Sequence, residues 1–293
     1  MKLGVFSVSL PEYEPEEALK VLKELGYDTV EWRVTDPVPM DFLPKEIPFE
    51  FRYWGNNKAT IPISTIEEQA ASLKALSDQY GVEIASLTTY LKPNQLTEVE
   101  SVLKAAASIG VKKIRVFQDN YPSKEAPTDY RTALSETKAF VSKMELMAKK
   151  YGVKILLELH HGTLLSSPSS AFNLLAGFDP AYIGVIVDPG NMVYEGYEDY
   201  AKMFELLGSY IGHIHVKNAR LVEDGYDEYG SKKWKQCWAP LWEGQANLRE
   251  LFRCMKKYGY DDTVSVEDFS NEEETYDKLK HNIEYIKKLA ASV

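Results

Sequence analysis

The sequence predicts a single (β/α)8 barrel, a TIM barrel, over residues 1–293, and three observations carry that reading. Eight short β-rich apolar runs recur along the chain, amphipathic helical patterns lie between them, and no low-complexity linker divides the 293 residues. A doubly wound sheet, the competing architecture, usually has about five to seven strands.

The first run is LGVFSVS (3–9), followed by the helical stretch PEEALKVLKELG (15–26). DTVEWRV (28–34) comes next, then IEEQAASLKALSDQYG (66–81) and VEIASLTTY (82–90). KIRVFQ (113–118) precedes a long helical pattern at 128–152, and KILLEL (154–159), IGVIVD (183–188) and IGHIHVK (211–217) follow. In NLRELFRCMKKYG (247–259), Leu248, Leu251, Phe252 and Met255 keep the i, i+3, i+4, i+7 spacing of a helix with one buried face, and TVSVEDF (263–269) ends the series. Gly26, Gly81, Gly110, Gly152 and Gly259 each close a helical pattern, where a C-terminal cap needs positive φ. Two insertions stand out, residues 35–64 after strand 2 and 218–246 after strand 7. Both fall on βα connections, the face where barrel enzymes keep their active sites.

Composition excludes several classes. With 44% hydrophobic and 27% charged residues the chain is neither disordered nor fibrous. Its 34 basic against 44 acidic residues leave a net charge of −10, which opposes nucleic-acid binding. Two cysteines, Cys237 and Cys254, form no disulfide framework and no metal-binding spacing. The apolar start LGVFSVSL is interrupted by PEYEPEE, short for a signal peptide and far short of a membrane span, so a cytoplasmic protein is expected. A homo-oligomer is compatible with the sequence and is not specified by it.

Strand alternation sorts the polar residues. In strand 7, Ile214 and Val216 share the helix-packing face, so His213, His215 and Lys217 point to the barrel axis. The same parity turns Glu31, Arg33, Glu158, His160, Ile186, Asp188, Ser265 and Glu267 inward and His161 outward. Glu158, Asp188, His215 and Glu267 therefore converge near the ends of four successive strands. Three carboxylates so close together would repel one another without a cation, and three oxygens with one imidazole suit one divalent ion, Mn²⁺, Co²⁺, Mg²⁺ or Zn²⁺.

At these residues the chain resembles the xylose isomerase-like TIM-barrel superfamily of sugar isomerases and epimerases. Relatives include ketose 3-epimerases, hydroxypyruvate isomerase, myo-inositol catabolic enzymes and endonuclease IV. The likeness covers nearly the whole chain through LGVFSVS, GYDTVEWR, LLELHHG, VIVDPGN, HIHVKNAR, LWEGQANLRELFRCMKKYGYDD and SVEDF. It implies Glu158, Asp188, His215 and Glu267 as metal ligands, with Glu158 and Glu267 also moving the substrate proton. Asn191 stands where the family often has a substrate-holding His, and Arg220 roughly matches the offset of a sugar-binding arginine. The trinuclear, His-rich zinc site of endonuclease IV does not suit a chain with five His.

The expected chemistry is removal of a proton next to a carbonyl through a metal-stabilised enediolate, with a small sugar, phosphorylated or not, as substrate. Lys217 could neutralise developing charge or pair structurally with Glu31 or Asp188. His160 could bond a substrate hydroxyl; His161 is expected in the loop or behind the site. Trp234, Trp238 and Trp242 could stack on sugar as a lid, Trp242 foremost, or fasten the loop to the barrel. A metal-dependent sugar isomerase or epimerase leads. A lyase or dehydratase acting on a keto-sugar or keto-inositol is second and a non-catalytic sugar-binding barrel third. No Gly-rich phosphate loop is present, yet barrels can hold phosphate on the loops after strands 7 and 8, so phosphorylation of the substrate stays open.

Overall fold

The eight apolar runs become eight parallel strands, each paired with its two neighbours until the last meets the first. The computed structural model describes residues 1–38, 49–122 and 128–293. Its barrel strands are β1 (Lys2–Phe6), β2 (Thr29–Val34), β4 (Glu83–Thr89), β5 (Lys113–Val116), β6 (Lys154–Glu158), β7 (Ile183–Val187), β8 (Ile211–Val216) and β11 (Thr263–Val266). The numbering leaves room for the short β3 (Thr60–Ile61) and a hairpin of β9 (Ala219–Tyr226) and β10 (Lys232–Trp238). Gly4 of β1 sits opposite Ser265 of β11 on one side and Thr29 of β2 on the other, which closes the barrel and removes its free edges.

Most predicted strands run one to three residues too long at their C-terminal ends. After Phe6 the chain turns through Ser7–Ser9, and Asp188, Lys217 and Glu267 all lie just beyond the last paired residue. Val8, Tyr90, Phe117, Leu159 and Phe269 prolong the apolar alternation there, but the chain has reached the mouth of the barrel and leaves the ladder.

Around the strands pack α1 (Pro15–Leu25), α2 (Ile66–Tyr80), α3 (Leu96–Ser108), α4 (Tyr130–Tyr151), α5 (Pro168–Leu175), α6 (Pro189–Tyr194), α7 (Tyr200–Leu207), α8 (Leu248–Tyr258) and α9 (Thr275–Ala291). Their ends follow local chemistry. Glu14 and Glu17 form a capping box at the start of α1, Pro15 takes the first turn, and Gly26 ends the helix at φ +83°. Gly152 ends α4 at φ +64° in the same way. The amphipathic stripe of α8 buries Leu248, Leu251, Phe252 and Met255, as its spacing requires.

Two connections at the mouth are long. The one between β2 and α2 adds β3 beside β2, with Arg33 opposite Thr60; its residues 39–48 lie outside the described residues. The other, between β8 and α8, is not an irregular loop but the antiparallel β9–β10 hairpin, whose register places Trp238 opposite Ala219. No helix among the described residues is long and apolar enough to cross a membrane.

Candidate functional site

Four barrel strands deliver the predicted cluster to one point. Glu158 ends β6, Asp188 follows β7 as the N-cap of α6, His215 lies in β8 and Glu267 follows β11. All four are buried, and one ligand atom from each lies within 4.8 Å of the others. His215 Nδ1 faces Glu158 Oε1 at 3.4 Å, Glu267 Oε2 at 3.5 Å and Asp188 Oδ2 at 3.6 Å.

Glu31 of β2 holds the other face of that imidazole. Its Oε2 lies 3.1 Å from His215 Nε2 and 3.0 Å from His213 Nε2, and Thr88 donates its hydroxyl to Oε1. A carboxylate on Nε2 fixes the proton there and leaves the Nδ1 lone pair aimed at three carboxylate oxygens. Among the described residues Nδ1 has no hydrogen-bond partner. An orphaned buried nitrogen facing three anionic oxygens is the donor set of a divalent cation, so the residues present fit such an ion. Without a cation the charge must be balanced by protons. Burial opposes the His215 imidazolium, yet Glu31 and Glu267 outweigh it and hold the group well above the usual imidazole range. Burial, reinforced by Glu267 and Glu158, pushes Asp188 up despite Lys217.

Glu31→Gln tests this arrangement. The amide no longer enforces the Nε2–H tautomer, so affinity for the ion should fall about 10–100-fold, the usual cost of losing such a supporting carboxylate. Metal competition with a coloured chelator measures it, and unchanged affinity would count against the role given to Glu31.

Two buried cations complete the floor. Arg115 of β5 donates from Nη1 to Glu158 Oε2 at 2.5 Å, and with His215 it overcomes burial to hold Glu158 well below the usual carboxylate range. Lys217 donates to Glu267 Oε2 at 2.8 Å, Asn191 Oδ1 at 3.2 Å and Asp188 Oδ2 at 3.3 Å. Burial would raise Glu267, but Lys217 and His215 bring it down to about 2. Of the two structural partners considered for Lys217, Asp188 is present; Glu31 instead serves the histidines. Gly190 explains its place in the VDPGN motif: a Cβ there would lie 2.6 Å from Lys217 Cγ, so only glycine lets α6 approach β8 so closely. Asn191 is wholly buried beneath the cluster, donating to Glu158 Oε1 at 3.2 Å.

Above this floor is a cavity of about 360 Å³, into which Arg115, Glu158, Lys217 and Glu267 project from below. Its wall is aromatic and continuous. Trp54 lies 6.5 Å from Tyr90 between ring centroids, Tyr90 6.2 Å from Phe117, and Phe117 5.0 Å from His160. His160 stacks on His161 at 4.3 Å, and His161 is 6.0 Å from Trp238. Trp238 is 5.6 Å from Phe269, which returns to Trp54 at 5.0 Å and closes the collar.

The structure redistributes several residues singled out from sequence. His160 lines the cavity, and so does His161, although alternation sends it outward; β6 stops pairing at Glu158, so period-two parity no longer governs residues beyond it. Trp242 is 40% exposed and leans on His281 and Tyr285 of α9, away from the cavity, while Trp234 is exposed on the hairpin. Trp238 is the member of the trio that reaches the cavity. Arg220 forms ion pairs with Glu243 and Glu272 near the surface and does not line the cavity. Arg115 went unselected in the sequence, yet Ile114 and Val116 pack outward, and the same alternation points Arg115 inward.

Comparison with known proteins agrees with the barrel fold. The profile of the xylose isomerase-like TIM-barrel family matches residues 19–289. Inosose dehydratase of Bacillus licheniformis is 27% identical over 126 residues, 41% of this chain and 42% of that protein, so the match spans less than half of its length. The fold is similar to that of 3-keto-D-glucoside 4-epimerase from E. coli, with a TM-score of 0.70, 15% identity, and coverage of 98% of this chain and 99% of the other. It is also similar to a xylose isomerase-like TIM-barrel protein from Mycobacterium smegmatis in complex with magnesium, with a TM-score of 0.66, 17% identity, and coverage of 99% and 97%.

Proposed function

The chain belongs to the xylose isomerase-like TIM-barrel family, and from that premise we propose that it is a divalent-metal-dependent sugar isomerase or epimerase. The reading is carried by one observation: the unpartnered Nδ1 of His215, turned by Glu31 toward the carboxylates of Glu158, Asp188 and Glu267. Those four residues would hold the ion, which supplies polarisation of the substrate carbonyl and stabilisation of the enediolate charge.

The chain's own groups move the proton. Glu267 borders the cavity, and its Oε1 has no hydrogen-bond partner among the described residues, while Lys217 keeps the carboxylate ionised through Oε2. It is placed to take the proton from the carbon beside the carbonyl. Glu158, across the floor, has Oε2 on Arg115 and Oε1 near Asn191; it would deliver to the opposite face a proton taken up from solvent, while Glu267 gives the abstracted proton back to solvent. The Lys217 ammonium offsets negative charge developing on the substrate oxygen. His160 stands in the wall within reach of a substrate hydroxyl.

A second reading, dehydration, is favoured by the sequence match to an inosose dehydratase. It starts with the same proton abstraction, after which a neighbouring hydroxyl departs as water. Turnover in D₂O separates the readings. Deuterium should enter at the carbon beside the carbonyl, with an isomer or epimer of otherwise unchanged mass; a dehydratase gives a product lighter by one water. Sugars that bind without exchange or mass change would instead support a non-catalytic binding barrel.

A further inference from the structure

We propose that His161 is a substrate-positioning residue: Asn191 locks its imidazole with the proton on Nδ1, so that Nε2 turns a lone pair to a hydroxyl donor in the cavity. The proposal rests on the reading of the cavity as the active site and adds one recognition element to it.

The lock begins with an amide that cannot turn over. Asn191 is wholly buried, and its Nδ2 donates to Glu158 Oε1 at 3.2 Å and to the Leu159 carbonyl at 3.3 Å. Both are acceptors. A reversed amide would set its oxygen against them and its own N–H groups against the Lys217 ammonium. The oxygen therefore faces the other way, where it accepts from Lys217 Nζ at 3.2 Å and lies 3.2 Å from His161 Nδ1. An amide oxygen only accepts, so Nδ1 carries the proton and the lone pair falls to Nε2. His160 follows the same rule, since its Nδ1 lies 2.7 Å from the His161 carbonyl and must donate to it. Two imidazoles of one tautomer thus stack with 4.3 Å between their centroids and 21° between their planes.

The lone pair is open and the ring that carries it is held. Both rings line the cavity, and among the described residues neither Nε2 has a hydrogen-bond partner or is shut away from water. Tyr194 meets the His161 ring edge-on at 5.0 Å, and the next residue, Gly162, is tied by its N–H to Glu195 at 2.7 Å. Burial and the Lys217 ammonium hold the imidazole below its usual range, so it is a neutral acceptor.

That property sets it apart from the floor. Arg115 and Lys217 are donors engaged with carboxylates, and the carboxylates of the cluster converge on the place of the ion. A substrate hydroxyl above them finds in His161 an acceptor that carries no charge. A methyl ether or a bare C–H at the same place leaves the lone pair without a partner, which weakens binding. Bound substrate and transition state make the contact alike, so it acts on KM and leaves kcat nearly unchanged. Alternation sends His161 outward and the family resemblance sets Asn191 against the substrate. Here the two exchange places, with Asn191 buried and acting through His161.

Nitrogen-15 NMR of the full-length, magnesium-loaded protein, labelled at its histidines, reads the tautomer directly, and His161→Phe supplies the assignment. His161 should show a protonated Nδ1 and a bare Nε2, and Asn191→Ala should divide the proton between the two nitrogens. Erythritol and xylitol are the binding probes, because they offer hydroxyls and no other polar group. They should move the His161 Nε2 resonance. His161→Phe keeps the stacked ring and should weaken both polyols about tenfold with an unchanged melting temperature; His161→Gln returns an acceptor and should restore most of the loss. An Nε2–H tautomer in the parent, an unchanged tautomer in Asn191→Ala, no Nε2 shift with either polyol, or equal affinity in His161→Phe each overturns the assignment. Failure of the catalytic reading has a different signature: tautomer and polyol binding stand, yet no keto-sugar exchanges deuterium.

Discussion

Glu267→Gln should lower kcat by about 10²–10⁴-fold, the range for a positioned acid or base, with little change in melting temperature. The amide keeps the size of the side chain but cannot accept a proton from carbon. Its neighbour does not become an orphan, because Lys217 retains Asp188 and Asn191. Glu158→Gln should lower kcat in the same range and also cost stability. Glu158 is the ion-pair partner of Arg115, whose side chain is 2% exposed, and a buried charge that loses its partner typically costs about 3–5 kcal/mol. The two variants thus share a kinetic defect and differ in thermal unfolding. Deuterium exchange at the substrate carbon should fall in step with kcat in both. Glu267→Gln retaining activity within tenfold of the parent would remove this residue as the base.

How much of this was legible in the sequence depends on where strand order ends. Inside the barrel, alternation is enforced by packing: a residue that changes face moves from the core to the helix layer, so parity placed Glu31, Glu158, His213, His215 and Ser265 correctly toward the axis. The same rule applies to Arg115, whose role as partner of Glu158 needs only the adjacent strand. Beyond the last ladder bond the rule lapses, which is why His161 turns into the cavity. The three tryptophans fail for another reason. Trp238 and Trp242 are four residues apart, but one ends a hairpin strand over the mouth while the other meets Tyr285, far along the chain on α9. Nothing local distinguishes them. The collar is less legible still, because its members come from six separate connections, and adjacency exists only once the barrel has closed.

The other large effect is on the ion itself, and Asp188 separates ligation from folding. This carboxylate does two jobs with two oxygens: Oδ1 accepts the backbone N–H of Asn191 at 2.9 Å, capping α6, and Oδ2 faces His215 and Lys217. Asp188→Ala removes both, and a lost N-cap costs about 0.5–2 kcal/mol, so a drop in melting temperature alone would be ambiguous. Asp188→Asn keeps an oxygen for the cap and discards the negative charge at the cluster. Elemental analysis of the parent should find one divalent ion per chain, the stoichiometry of a single four-ligand cluster, and both variants should purify with far less. Added metal should raise the melting temperature of the parent, since an ion at 100 times its dissociation constant stabilises the folded state by about 2.7 kcal/mol, and should leave Asp188→Asn unmoved. The cap predicts the remaining difference: without metal, Asp188→Asn should unfold at a higher temperature than Asp188→Ala. A full complement of metal in Asp188→Asn would mean that the ion, if bound, sits elsewhere than between these carboxylates and His215.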